Sequence, residues 1–401
     1  MGNLSYGTLF AREFGVDVII IGGGIGGLAA AAALRCVGIS AAVYERAPEI
    51  REVGAGLSLW SNAIKALRRL GLDEAVVARG SPIEEAITRT DRGVVLSQVS
   101  IGDISKKAGA PTVCVHRAEL QQVLASAVEP GQIHLNATCV GIDADRDGVT
   151  ARFADGRTAR GSILVGADGI RSAVRDSLLG AMAPRYAGYF GYRGIAHGEF
   201  PELPAGYTAF ALGRGAQVGL VHCGPRRVYW FATVNAPEGT PTPDPVSLKA
   251  EAMKRFAGWH SPIPAVIAAT EPGALIKGDI IDRPPTWLWG RGRATLLGDA
   301  IHPTTPNMGQ GACQALEDAV VLADCLRRRG LGEEGLREYE ETRRERTALV
   351  TRRSWSFGRV FQLENRVAIA VRNWLVRRGF GETRGIKMFK ELLTYEPPEL
   401  K

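Results

Sequence analysis

The stretch Val16-Asp17-Val18-Ile19-Ile20-Ile21-Gly22-Gly23-Gly24-Ile25-Gly26-Gly27 decides the fold. Val16 to Ile21 is a β-branched run bounded by glycine, the pattern of a strand buried on both faces of a parallel sheet. Leu28 to Cys36 is alanine-rich and reads as a helix that stops near Gly38, and Ser40 to Tyr44 reads as a second strand ending at Glu45. Strand, glycine turn, helix and strand in about 30 residues make a βαβ unit. Gly22, Gly24 and Gly27 fit the GxGxxG spacing: a tight turn, close approach of backbone to a pyrophosphate, and close helix–strand packing. The helix starting near Gly26 points its free N–H groups and positive dipole end at that phosphate. Glu45 is placed to accept hydrogen bonds from both hydroxyls of an adenosine ribose. The motif by itself does not separate one dinucleotide from another.

Two further glycine motifs follow. Gly166-Ala167-Asp168-Gly169-Ile170-Arg171 comes after a strand at Ser162–Val165. Gly298-Asp299-Ala300 and then Gly309-Gln310-Gly311 come after a strand at Ala294–Leu297. Gly298 lets backbone come close to a ligand, and the Asp299 carboxylate can hold a hydroxyl. Gly309-Gln310-Gly311 sits at a helix start, where unsatisfied N–H groups stabilise negative charge. Three such motifs in fixed order describe one long cofactor lying across a single domain.

Composition sets the bounds. The 401 residues suggest about two domains. A 45% hydrophobic and 23% charged make-up is that of an ordinary globular enzyme. The net charge of +7 suits steering of anionic ligands, or reflects arginine-rich composition with no special partner. No basic run interleaved with aromatics suggests nucleic acid. The six cysteines form no CxxC pair and no cluster with histidine, so neither a disulfide framework nor a metal site is expected, and a reducing, cytoplasmic setting fits. The lead-in before Val16 lacks the basic start and apolar core of a signal peptide. No run is long and apolar enough to span a bilayer.

Helices are expected at Asn62–Leu70 and Arg117–Ala127, and strands at Val94–Val99, Ile133–Leu135, Cys139–Asp143 and Val149–Phe153. From Tyr186 to Val234 short alternating runs, including Gln217–His222 and Val228–Val234, predict antiparallel sheet. After Gln310 the pattern is helical to about residue 376. The first domain is therefore read as discontinuous: residues 16–85, 110–180 and 281–345, with a substrate domain from 86–109 and 181–280 and a helical arm over 346–401. In that arm Val367, Ala370, Val371, Trp374 and Leu375 share one helical face among many arginines. Such a helix either lies on a membrane surface or packs on the first domain or a second subunit; packing is the expectation. Monomer and homodimer both remain open.

Together these blocks resemble the single-component flavin-dependent aromatic hydroxylases, the FAD and NAD(P)H monooxygenases that include 4-hydroxybenzoate, salicylate and urate hydroxylases and zeaxanthin epoxidase. The resemblance covers roughly Val16 to Arg353. It rests on Gly22 to Glu45, on Gly166-Ala167-Asp168-Gly169 with Arg171, and on Leu297 to Pro303 through Gly309-Gln310-Gly311 with Glu317-Asp318 in the following helix. It implies an α/β fold: a Rossmann-type FAD-binding domain of the glutathione reductase kind, an inserted antiparallel-sheet substrate domain and a C-terminal helical arm. It implies FAD as cofactor and NAD(P)H as a transient co-substrate, there being no second GxGxxG. It implies oxygen transfer through a flavin hydroperoxide to an aromatic, heteroaromatic, alkene or polyketide-like molecule.

By the same resemblance Gly22, Gly24, Gly26, Gly27, Glu45, Arg46, Ser58, Arg117, Val140, Asp168, Asp299, Gly309, Gln310, Gly311, Ala312 and Cys313 should line FAD. The catalytic candidates are Arg193, which matches an arginine that holds a phenolate in fungal phenol-dearomatising members, and His222 and Tyr229 on adjacent strands. Their structural alternatives are an inter-domain pin for Arg193, a packed sheet histidine and a core tyrosine; His302 is read as structural. Bacterial urate hydroxylases carry a substrate-binding arginine where this chain has Gln217, so a substrate other than urate is expected. Two other readings are a flavin reductase of isoprenoid double bonds and a non-catalytic dinucleotide-fold escort protein. The block Pro303 to Gly309 argues against the first and the three intact motifs against the second.

Overall fold

The computed structural model describes residues 16–50, 55–379 and 390–400. The βαβ unit forms as the sequence dictates: strand Val16–Ile21, helix Ile25–Cys36 and strand Ala41–Tyr44. Ile19, Ile20, Leu28 and Ala29 have no solvent contact, as apolar runs on both sides of a covered parallel sheet require. The first strand pairs in parallel with Ala41–Tyr44 on one side and with Thr158–Gly166 on the other. The sheet runs in the order Ile133–His134, Ala41–Tyr44, Val16–Ile21, Thr158–Gly166, Val149–Phe153, Cys139–Ala144. The late strand Ala294–Leu296 adds in parallel along Thr158–Gly166. Segments from both ends of the chain thus share one sheet, and the three glycine motifs all leave from neighbouring strand ends.

A second sheet of seven strands runs in the order Ile276–Asp282, Arg185–His197, Arg227–Asn235, Ala216–His222, Tyr207–Leu212, Glu85–Thr90, Val95–Ser100. It is antiparallel except where Tyr207–Leu212 meets Glu85–Thr90 in parallel, a pairing that the alternation pattern does not reveal. Period-two alternation splits its side chains between two faces. Tyr192, Trp230 and Ala232 pack with Phe256 and Val266 of helices Pro245–Phe256 and Ile263–Ala268. Arg193, Tyr229, Phe231 and Thr233 occupy the other face, which borders the first unit.

From 311 to 377 the chain is not one continuous helical run but breaks into Gly311–Arg329, Glu333–Phe361 and Arg366–Arg377. The glycines at 330 and 332 end the first. Behind Gly311–Arg329 the wholly buried Arg343 of the second helix pairs with Glu317 and Asp318. The chain returns at 390–400, where Lys65 pairs with Glu396 at 2.5 Å and Arg69 with Glu399, and Leu400 enters the core of the first unit. Among the described residues no helix is long and apolar enough to cross a membrane, and no group of His, Cys, Asp or Glu could hold a metal ion.

Candidate active site

A groove starts at the glycine turn and ends at the second sheet. It consists of two cavities of about 260 Å³ and about 360 Å³, and Arg117 lines both. The first cavity is bordered by Gly22, Gly24, Glu45, Arg46, Gln121, Cys139, Asp168 and Arg171. At Gly22 the backbone has φ +109° and a Cβ would lie 2.4 Å from the Ala167 carbonyl oxygen. At Gly27 a Cβ would lie 1.9 Å from the Gly22 carbonyl oxygen. At Gly24 nothing lies within 4 Å, so that position opens a space beside the helix N-terminus. Glu45 accepts from Gly23 N at 2.6 Å through one oxygen and from Ala47 N at 2.9 Å through the other. Each oxygen keeps a lone pair for the cavity.

Asp168 shows how a single residue type serves two ends. Its Oδ2 accepts from Ala173 N at 2.8 Å and Val174 N at 3.3 Å, capping the helix Ala173–Leu179. Its Oδ1 is buried with no protein partner. Burial raises its pKa, against the opposing effect of Ser172 and the backbone N–H groups. Gln121 repeats the pattern: Nε2 donates to the Gly23 carbonyl at 2.9 Å and Oε1 has no protein partner. Buried polar atoms without partners are costly unless a ligand supplies them.

The second cavity joins Ser58, Arg193, Tyr229, Phe231, Thr233, Asp299 and the turn Gly309–Ala312. Gly309 has φ +60° and its neighbour Gln310 has no exposed surface. Gln310 Oε1 accepts from Asn62 and Gln314, both at 3.1 Å, while its Nε2 is buried without a protein partner. Helix Gly311–Arg329 has no side-chain cap, so its first N–H groups face the cavity. Asp299 opens onto the groove and is enclosed by protein on its other sides. That enclosure raises its pKa, against the pull of His302, Arg117 and Arg193. Burial lowers Arg117 from its ordinary value, with Asp299 opposing and Arg193 adding to the shift. Burial pushes the Tyr229 phenol up to about 12, so it stays protonated and acts as a donor.

Several sequence candidates fall elsewhere. Gly26 and Gly27 pack helix against strand and do not border the groove; a Cβ on Gly26 would meet Leu297 at 2.7 Å. Val140 turns its side chain to solvent and its neighbour Cys139 borders the groove instead. Cys313 lies beneath the turn, its Sγ near Ser58 O at 3.8 Å and Gly309 O at 3.6 Å. His222 pairs across the hairpin with Val228, on the helix-covered face, and its Nε2 contacts Leu203 O at 2.9 Å. That placement removes His222 from the groove and leaves it a packed sheet histidine. His302, as read, is structural: its Nε2 contacts Asp318 at 2.5 Å. Sequence reading missed Phe231 and Thr233, although they alternate with Tyr229 on one strand, and missed Gln121, which carries no motif.

A long groove with unsatisfied donors and acceptors at a helix N-terminus, at the ends of the parallel strands of a mixed sheet, defines a dinucleotide-binding protein. The chain belongs to the family described as "FAD binding domain", whose model matches residues 15–244 and 284–354. It is 44% identical over 364 residues to the aurachin C monooxygenase/isomerase of Stigmatella aurantiaca, covering 90% of this chain and 94% of that one. It is 38% identical over 333 residues to an FAD-dependent urate hydroxylase of Klebsiella pneumoniae, covering 82% and 86%. The crystal structure of Klebsiella pneumoniae HpxO complexed with FAD and uric acid superposes with a TM-score of 0.89 at 33% identity, over 95% of this chain and 97% of that one. An arginine-to-glutamine variant of HpxO complexed with FAD gives 0.88 over 95% and 99%, also at 33% identity. The chain is accordingly an FAD-dependent monooxygenase, an oxidoreductase with NAD(P)H as co-substrate.

Proposed function

We propose that this monooxygenase hydroxylates or epoxidises a neutral or phenolic heteroaromatic compound, of the kind named for its Stigmatella relative, and does not act on urate. The observation that carries the substrate reading is Gln217. It is buried, and its Nε2 donates to Asn307 Oδ1 at 3.4 Å. Asn307 in turn donates to the Tyr189 hydroxyl and Thr305 Oγ1, both at 2.9 Å. This corner holds a neutral amide pair at the position where the resemblance places the substrate-binding arginine of the urate hydroxylases, so the cation left to the substrate is Arg193.

FAD, when bound, supplies electron transfer from NAD(P)H and activation of O2. Gly22, Gly24, Glu45, Arg46, Gln121 and Asp168 hold its dinucleotide part, and Ser58, Arg117, Asp299 and Gly309–Ala312 hold its far end. The free N–H groups and Gln310 Nε2 stabilise negative charge there. Arg193 holds a substrate oxygen as the anion, Tyr229 donates a hydrogen bond to it, and Phe231 supports the ring by its face. The two sheets close over the ring and exclude water. The residue roles, the division at 16–85, 110–180 and 281–345 against 86–109 and 181–280, use of O2 in solution and a cytoplasmic setting belong to the same proposal.

The test is anaerobic reduction of the bound flavin by NADH or NADPH, with aurachin C, 4-hydroxybenzoate-type phenols or urate present. Acceleration by the aurachin or a phenol, with none by urate, is the expected result. Acceleration by urate alone overturns the substrate reading. In a parallel run under air, product formed without oxygen uptake overturns oxygen transfer and favours a reductase.

A further inference from the structure

Helix Arg366–Arg377 is turned inside out. Its one buried residue is an arginine, Arg372, at 4% exposure. Arg372 donates to the carbonyls of Val360 at 3.4 Å and Phe361 at 3.3 Å. Ile369, Leu375 and Val376 are half-buried on the side of Arg372, but three apolar residues face outward: Val367 is 72% exposed, and Val371 and Trp374 are each 51% exposed. Packing against the first unit would have covered them. Two sets of contacts with other segments fix the orientation: the Arg372 bonds to Val360 and Phe361, and Arg377 Nε, which donates to Val95 O at 3.3 Å. The helix cannot rotate its apolar stripe inward without breaking both.

The charge around the stripe is of one sign. From 351 to 380 the sequence carries seven arginines and a single acid, Glu364. Arg366, Arg377 and Arg378 are exposed beside the stripe, and Arg378 lies over the Trp374 ring at 5.4 Å. An apolar ridge bearing tryptophan and flanked by arginine matches the headgroup layer of an anionic bilayer. The dimensions favour a bilayer over a protein partner. Twelve residues span about 18 Å, and a stripe about 10 Å wide along them covers far less than the roughly 800 Å² that each partner of a stable protein interface buries. A shallow ridge suffices for a planar anionic surface, where each arginine adds attraction.

We propose that this face docks the enzyme on an anionic lipid bilayer, with Val367, Val371 and Trp374 entering the headgroup layer and Arg366, Arg377 and Arg378 meeting lipid phosphates. The attachment is peripheral and reversible, and it leaves the groove intact.

The test is co-sedimentation of the full-length FAD-loaded protein with vesicles of phosphatidylcholine, alone or mixed with phosphatidylglycerol, at low and raised salt. The expected result is binding to the mixed vesicles only, weakened by salt. In Val367→Ser/Val371→Ser, binding falls about tenfold while flavin absorbance and turnover are unchanged. Arg366→Gln/Arg378→Gln lowers both binding and its salt dependence. Equal binding to neutral vesicles, no binding to either, or full binding by the serine double variant each overturns the proposal. A dimer in sedimentation velocity without lipid, lost in the serine variant, would instead make a second copy of the chain the occupant.

Discussion

Arg343 donates through Nη1 to Glu317 at 2.6 Å in a place where neither side chain touches solvent. Its Nε reaches Asp318, also at 2.6 Å. Glu317 Oε1 accepts from Asn62 at 2.6 Å, and Asn62 also donates to Gln310 at the groove. Asp318 accepts from Gly298 N at 3.1 Å and contacts His302. One buried guanidinium therefore underlies both the Gly298-Asp299 turn and the Gly309-Gln310-Gly311 turn.

Arg343→Met should cost about 3–5 kcal/mol at neutral pH, because buried Glu317 loses its main counter-charge and buried Asp318 keeps only His302. Burial pushes both carboxyls up, but Arg343, with Arg346 beside Glu317 and His302 beside Asp318, brings both below the ordinary carboxylate range. Folded values below unfolded ones mean that the stabilisation is present above about pH 4 and is lost as pH falls through the folded values. The gap between wild type and variant should therefore hold from neutrality down to about pH 4 and narrow below it. Urea melts at several pH values measure it; a gap independent of pH would remove the carboxylates from the account.

Gly24→Ala and Gly27→Ala should part company. A methyl at Gly24 meets nothing in the protein, so that variant folds with near wild-type stability and fails to retain FAD. A methyl at Gly27 lies 1.9 Å from the Gly22 carbonyl, so that variant loses the helix–strand contact and folds poorly. Circular dichroism melts and flavin fluorescence titration separate the two outcomes.

Asp299→Ala should weaken FAD binding by about tenfold or more, the worth of one charge-assisted hydrogen bond. Asp299→Asn should recover part of it. Equilibrium titration of the apoprotein provides the reading, and unchanged affinity in the alanine variant would place Asp299 outside the cofactor contacts.

Arg193→Ala should leave FAD affinity within about twofold and reduce turnover about 10–100-fold, with Arg193→Lys intermediate. Tyr229→Phe should lower turnover without adding or removing a limb of the pH–rate profile between about pH 6 and 10, since the phenol titrates near 12. Steady-state oxygen consumption with an accepted substrate reads both.

The part of the molecule that was legible in the sequence is the part whose constraints are local. Strand, turn, helix and acid from Val16 to Glu45 follow one another, so each residue type marks its own role. Strand Arg185–His197 was not legible in the same way. Its glycines at 191 and 194 break the alternation because Ile280 and Trp230 press against those positions from other segments; a Cβ there would lie 3.1 Å from the first and 2.8 Å from the second. His222 failed by one step of register. Tyr229 pairs with Val221, so the neighbouring His222 is committed to the opposite face. Val140 likewise sends its side chain to solvent, while the neighbouring Cys139 borders the groove. For helix Arg366–Arg377 the stripe was readable, but its direction was not; contacts with Val95 and Val360, distant in sequence or on another helix, decide it.

The strand Ala294–Leu296 pairs with Leu164 to Gly166 in the middle of the first sheet. Until the ribosome has released that late strand, Thr158–Gly166 presents part of an open backbone edge, and five of the seven strands of the second sheet are made in the interval. Closure of the cofactor-binding unit is thus a late event in the life of the nascent chain, with a high loop-closure barrier and a long exposure to edge pairing between molecules. Yield in a cell should depend on dilution and chaperone supply at that stage more than on the stability of the finished protein.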